Sequence, residues 1–299
     1  MTFSKNLTDA VRTKKNPVLV GLDPRFESLP ESLRDGSVAE AFETFCRGVI
    51  DVVAPLVPAV KPQAAFFEQY GSTGMVALEN VIRYARKKGL IVVFDGKRND
   101  IGSTAEAYAA GILGENSPWE ADALTVSPYL GDDSLSPFVK TAMERDAGIF
   151  VLVKTSNPGG AMLQDLTVDG KTIYRRVAEH VQELSVSTMS NNEKYGAVGA
   201  VVGATWPEQL AELREAMPNC WFLVPGFGSQ GGSAKDVAAA FDADGFGAII
   251  NNSRGILFAY QKEPYRSKFG EKNWQAAVEA ATLDMIDRLR ADTPAGKLV

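Results

Sequence analysis

Short apolar runs that stop on a charged residue recur along the chain, separated by stretches whose apolar residues fall three or four positions apart. The first run, residues 17–23, reads Pro-Val-Leu-Val-Gly-Leu-Asp and closes on Asp23. Its length and branched side chains predict a strand buried on both faces. Residues 38–56 then carry Ala41, Phe42, Phe45, Val49, Val52 and Val53 near one helical stripe. A second strand, 57–63, supplies Lys61, and a helix over 64–88 leads to an apolar run at 90–94 that opens directly into Asp95-Gly96-Lys97-Arg98-Asn99-Asp100. Further strands are predicted at 121–127, 148–156, 199–204, 220–225 and from 247. Helices are predicted over 103–113, 172–189, 207–216, 234–241 and 273–290.

About eight strand–helix alternations in a chain of 299 residues predict an α/β fold, a (β/α)8 TIM barrel forming a single domain over residues 1–299 after a short polar N-terminal segment. The competing architecture, an open doubly wound sheet, places a glycine-rich turn after its first strand, and Gly21-Leu22-Asp23-Pro24 is not such a turn.

In a barrel of this kind the chemistry sits at the C-terminal ends of the strands, which is where the charges fall. Strand periodicity puts Asp95 and Lys97 on one face, about one pleat apart. Asp100 lies beyond the strand, and Gly102, Ser103 and Thr104 offer a turn and a helix cap. The plain alternative is a surface salt bridge at a strand terminus.

Composition narrows the chemistry. With 45% hydrophobic and 23% charged residues the chain reads as an ordinary globular protein. No apolar run approaches the roughly 18 residues of a membrane span, and residues 1–15 do not resemble a secretory signal, so a cytoplasmic location is expected. A net charge of −6 argues against nucleic acid as a partner. Cys46 and Cys220 each lie in an apolar run and read as buried free thiols, and no metal-ligand spacing occurs. The single histidine, His180, falls in a charged helical stretch and reads as an outward or packed residue. Acid–base chemistry is left to Lys, Asp or Glu.

The last two strand ends differ from the early ones. Residues 225–232, Pro-Gly-Phe-Gly-Ser-Gln-Gly-Gly, are dense in glycine, as a loop must be for its N–H groups to approach a phosphate, and a short helix begins near Ser233. Residues 251–255, Asn-Asn-Ser-Arg-Gly, add Arg254, whose planar fork of donors suits phosphate, while Gln230 could bond a phosphate or sugar oxygen. Tight turns between strands and helices also need glycine, so the loops alone are weak evidence; Arg254 strengthens it. Phosphate at one side of the mouth and alternating charges at the other suggest a phosphorylated substrate anchored by its tail.

The run Asp95-x-Lys97-x-x-Asp100-Ile101 resembles the DxKxxDI signature of orotidine 5′-phosphate decarboxylase, and its surroundings resemble the longer bacterial (type 2) subfamily. Similarity extends through Gly21-Leu22-Asp23, Lys61, residues 155–159, the Pro225 to Gly232 loop and Ser253-Arg254-Gly255. The resemblance implies loss of CO2 from C6 of orotidine 5′-monophosphate (OMP) to give UMP, with no metal or organic cofactor. It also implies a homodimer with shared sites. Lys61, Asp95, Lys97 and Asp100 would form the charged network, Asp100, Ile101 and Thr104 reaching in from the partner. Asp23 would contact the ribose with Lys61 beside it, Ser156 would read the pyrimidine edge, Pro225 would lie in the substrate pocket, and Gln230 and Arg254 would hold phosphate. The physical demand agrees: electron density left on C6 is stabilised by an adjacent ammonium, here Lys97, which can also deliver the proton. A Mg2+-dependent sugar-phosphate lyase of the same superfamily is the nearest rival. The absence of a second acid beside Lys61 and the Ile101-Gly102 continuation count against it. A catalytically silent phosphate-binding barrel is the other.

Overall fold

The computed structural model describes residues 1–228 and 232–299. Among these, eight parallel strands close on themselves: β1 (Val18–Leu22), β2 (Ala59–Pro62), β3 (Ile91–Arg98), β4 (Ala123–Val126), β5 (Gly148–Lys154), β6 (Val198–Val202), β7 (Phe222–Val224) and β8 (Ala248–Asn252). Closure is made by β8 against β1, with Val18 beside Ile250, while on the other side of β1 Gly21 stands beside Lys61. Every residue of β1, β2, β4, β6, β7 and β8 is buried, because helices cover the outside of the barrel and side chains fill the inside. That explains apolar runs with little alternation.

The helix Val38–Val53 starts at a reciprocal cap between Ser37 and Glu40 and buries Phe42, Phe45, Val49 and Val53 on one stripe. Gly48 lets the C-terminal helix Trp274–Asp292 approach, since a Cβ there would lie 2.7 Å from the Trp274 ring. The predicted helix over 64–88 is two helices, Ala65–Glu68 and Gly71–Lys87. The break falls at Gly71, with φ of +61°, and the corner is tight enough that a Cβ on Gly74 would sit 2.0 Å from the Phe67 carbonyl oxygen.

The N-terminal segment expected to be merely polar is a helix, Phe3–Lys14, laid across the N-terminal ends of the strands. Its Phe3, Leu7 and Val11 are buried at a spacing of four. Phe3 packs edge-on against Phe150 of β5, ring centroids 6.0 Å apart. Each such side chain contributes about 1.5–3 kcal/mol by leaving water. Polar residues outnumber the apolar ones in this stretch and mask a narrow stripe.

Two segments without an expected role also find places. Residues 161–172 form a short helix, Ala161–Gln164, and a hairpin of Thr167–Val168 with Lys171–Thr172. The segment near 261–272 straps the loop after β1: Gln261 Nε2 donates to the Ser28 carbonyl at 3.0 Å, and Glu271 accepts the Glu31 N–H at 2.6 Å. One apolar core runs continuously from Phe3 to Leu298.

Candidate active site

A cavity of about 450 Å³ opens at the C-terminal ends of the strands. Asp23, Lys61, Asp95, Lys97, Ser156 and Arg254, which come from the ends of five different strands, all line it. Pro225 lines it too, with Gly226 and Phe227.

Its centre is Asp95, which follows Phe94, the last residue of β3 in regular register with β4, and bridges Gln63 on the β2 side. The carboxylate is 6% exposed and accepts four hydrogen bonds. Lys97 Nζ at 2.6 Å and Thr125 Oγ1 at 2.9 Å reach Oδ1; Lys61 Nζ at 2.5 Å and Gln63 Nε2 at 2.9 Å reach Oδ2. Burial alone would raise the Asp95 pKa, but the two ammonium groups outweigh it and hold the carboxyl well below its ordinary range. Lys61, 4% exposed, is subject to the same contest: burial favours its neutral form, and the charges of Asp95 and Asp23 overcome this and raise its pKa. Both stay ionised. With four donors already on it, Asp95 has little lone-pair capacity left for a metal ion.

Lys97 differs from Lys61 in exposure. Its side chain is 47% accessible and lines the cavity, with its ammonium anchored on Asp95 Oδ1. The expectation that Asp95 and Lys97 meet across one pleat of a regular strand needs correcting here. They do touch, but Lys97 has φ of +45° in an irregular stretch of β3. A non-glycine residue in that region costs about 1–3 kcal/mol. Thr125 of β4 offsets it, accepting the Lys97 N–H at 3.0 Å while donating to Asp95.

Asp100, Ile101 and Thr104 are not among the residues lining the cavity. Asp100 Oδ1 accepts the Ile101 N–H at 2.9 Å, and the Ile101 side chain is 55% exposed. Within one chain, therefore, only one of the two carboxylates expected beside Lys97 is in contact with it. The predicted turn and cap at Gly102, Ser103 and Thr104 is also different: all three lie inside the helix Gly102–Leu113, which begins after Ile101 with no side-chain cap.

At the opposite side of the mouth, Ser253 and Arg254 begin the short helix Arg254–Leu257. Gln230 lies outside the described residues. The helix beginning near Ser233 is the four-residue Ala234–Val237, capped by its own Asp236, which accepts the Ser233 N–H at 2.7 Å. Neither Ser233 nor Asp236 is among the residues lining the cavity.

Sequence reasoning missed Gln63 and Thr125. Gln63 follows Lys61 by two and so shares its face, and Thr125 is the one polar residue within β4. Both signals were available. Asn251, the first residue of the 251–255 run, lines the cavity, and Gly21 of the neighbouring strand leaves space beside it. Asn251 Oδ1 and Asp23 Oδ1 are buried without a hydrogen-bond partner among the described residues. Cys46 and Cys220 are buried and free; burial pushes the Cys220 thiol up to about 12. His180 sits on the helix Ile173–Ser187, partly exposed, with Nδ1 3.8 Å from Glu183, and does not line the cavity.

Fold and site together define the class: a (β/α)8 barrel with a densely charged cavity at its C-terminal face. The chain belongs to the orotidine 5′-phosphate decarboxylase / HUMPS family, which matches residues 16–266. It is 59% identical over 301 residues to the orotidine 5′-phosphate decarboxylase of Rhodopirellula baltica, covering 97% of this chain and 99% of that one. A solved structure from Streptomyces avermitilis superposes with a TM-score of 0.81 at 35% identity, covering 98% of this chain and 96% of the other. The OMP decarboxylase of Leishmania donovani superposes at 0.73 with 37% identity, covering 95% and 99%.

Proposed function

We propose that this chain catalyses the decarboxylation of OMP to UMP in pyrimidine nucleotide synthesis, with Lys97 stabilising and then protonating C6. The observation that carries the reading is the Lys97 ammonium, half-exposed above the cavity and anchored to a buried, ionised Asp95 at 2.6 Å. As the C6–carboxylate bond breaks, its electron pair stays on C6 and CO2 leaves. An ammonium N–H of Lys97 then gives its proton to C6, and the amine is recharged from solvent. The interaction strengthens only as charge develops, which is the kind that raises the chemical rate.

Asp95 serves by keeping Lys97 in place and charged, and its own negative charge opposes the substrate carboxylate. Lys61 holds the other oxygen of Asp95. Asp23 faces the ribose, Ser156 the pyrimidine edge and Pro225 the nucleotide. Arg254, with Gln230, takes the phosphate. Nothing in this sequence of steps calls for a metal or organic cofactor.

The working unit in this reading is a homodimer, with residues 1–299 of each protomer acting as one domain. What supports it is the incomplete site: Asp100 and Thr104 stand outside the cavity of their own chain, and Ile101 presents an apolar side chain to the surface. Asp100 from a second copy would supply the second carboxylate beside Lys97. No helix among the described residues is long and apolar enough to cross a membrane, and we assign the reaction to the cytoplasm.

The test is an ultraviolet assay of OMP consumption with a chelator present. Chelator-insensitive conversion to UMP is expected; activity that depends on added Mg2+ would favour the metal-dependent rival, and none at all the silent barrel. Mixing Lys97→Ala and Asp100→Ala chains should restore activity through hybrid dimers with one intact site, and no restoration would remove the shared site.

A further inference from the structure

The loop after β5 brings Thr155, Ser156 and Asn157 to the cavity wall, but the bonds that hold its backbone come from behind. Gln164, at the end of the helix Ala161–Gln164, faces Thr155 with both ends of its amide. Its Oε1 accepts the Thr155 N–H at 3.0 Å, and its Nε2 donates to Thr155 Oγ1 at 2.8 Å. Gly160 clears the space for this pair, since a Cβ there would lie 2.9 Å from Thr155 Oγ1 and 3.0 Å from Gln164 Oε1. From the β6 side, Trp206 Nε1 donates to the Thr155 carbonyl at 3.2 Å and Thr205 Oγ1 to the Ser156 carbonyl at 3.1 Å.

One residue earlier, Lys154 is 1% exposed and pairs with Asp165, the neighbour of Gln164. Its ammonium also lies 5.3 Å from the Tyr174 ring centroid and 5.2 Å from that of Trp206. The pairing of the buried Lys154 ammonium with the partly exposed Asp165 therefore fixes where the short helix ends, and the amide of Gln164 transmits that position to the cavity wall.

We propose that Gln164 is a positioning residue for the base end of the substrate, setting the Ser156 hydroxyl through its two bonds to Thr155. The inference rests on the reading that Ser156 meets the pyrimidine edge. Without the amide, Thr155 loses the partners of its N–H and hydroxyl, and the loop occupies its binding-competent position for only a fraction of the time. Apparent affinity falls by that fraction. The loss is in binding made equally before and during the reaction, so it raises KM and leaves kcat in place.

The experiment compares kcat and KM for OMP in wild type, Gln164→Ala, Gln164→Glu, Ser156→Ala and the Ser156→Ala/Gln164→Ala pair. The Ki of ribose 5-phosphate, which has no base, is the control. Gln164→Ala is expected to raise KM roughly tenfold with kcat within about twofold and Ki unchanged. Gln164→Glu, which can still accept from both Thr155 groups, should recover most of it, and Gly160→Ala, which pushes on the same amide, should reproduce the KM-only effect. In the Ser156→Ala background, Gln164→Ala should add little. An unchanged KM in Gln164→Ala, an equal rise in the ribose 5-phosphate Ki, or full additivity overturns the inference while leaving the Ser156 reading intact. If Ser156→Ala itself leaves KM unchanged, the Ser156 reading falls and this inference with it.

Discussion

The cavity at the C-terminal ends of the strands has a counterpart at their N-terminal ends, about 550 Å³ against about 450 Å³. The lower one is walled by the helix Phe3–Lys14 and by the loops before β6 and β8, and it too is rich in charge. Its charges are spent on one another near the surface. Asp9 takes Lys5 at 2.7 Å and Arg12 at 2.9 Å, and Asp242 takes Lys194 at 2.6 Å. In the upper cavity a carboxylate and an ammonium with 8% and 5% side-chain exposure are locked together, and a second ammonium with 47% is left facing the open space. Volume and charge content therefore do not separate the two cavities. What separates them is a buried ion pair whose electrostatic strength acts on one half-exposed group aimed at the cavity.

The largest effect that could break this contrast is at Lys97. Lys97→Ala should lower kcat by at least about a thousandfold while UMP binding stays within a few-fold, measured by turnover and by calorimetry. Retained turnover would remove the proton donor. Arg254→Ala should come next, raising KM for OMP by roughly ten- to a hundredfold with a smaller change in kcat, because it acts on the end of the substrate that does not react. An unchanged KM would take it out of the phosphate site.

Thr125→Val should follow. It removes the donor to Asp95 and the acceptor of the Lys97 N–H at once, lowering kcat by about tenfold and costing about 1–3 kcal/mol in urea unfolding. If only stability falls, Thr125 has no part in aligning Lys97. The ion pair also makes a prediction in pH. Because the Asp95 pKa is depressed in the fold, its stabilisation is complete above the ordinary carboxylate value near 3.9 and is lost as pH falls from there through the folded value. Lys61 contributes in the other direction, fully below its ordinary value and lost as pH rises through its raised one. The wild-type minus Asp95→Asn stability difference should therefore be flat around neutrality and shrink below about pH 4. A difference that shrinks between pH 6 and 8 would contradict the assignment. The smallest effect belongs to the lower cavity: Lys194→Ala should leave kcat and KM unchanged and alter stability by no more than about 1 kcal/mol. A fall in kcat would make the lower cavity functional.

Much of the upper site was legible along the chain because strand ends in a barrel converge, so a charge at the end of an apolar run is carried to a common place. Asp23, Lys61, Asp95 and Lys97 were found that way. Gln63 and Thr125 share those faces by periodicity, but a neutral amide or hydroxyl at a strand end is equally compatible with an ordinary polar terminus. The left-handed backbone at Lys97 could not be read, because it results from the register shift of β3 against β4. The helix Phe3–Lys14 was hidden for a different reason: three buried residues among many polar ones carry little signal until a flat surface, the floor of the barrel, exists to receive them.

By itself the sequence determined the alternation of strands and helices, and through it the barrel and the end of it that carries the charges, because periodicity and burial are properties of neighbouring residues. Only the tertiary structure decided which charges neutralise one another and which remain available. That depends on distances between residues from different strands and on how far water is kept away, and a buried carboxylate holding an ammonium at the edge of a cavity exists only when the strands have closed.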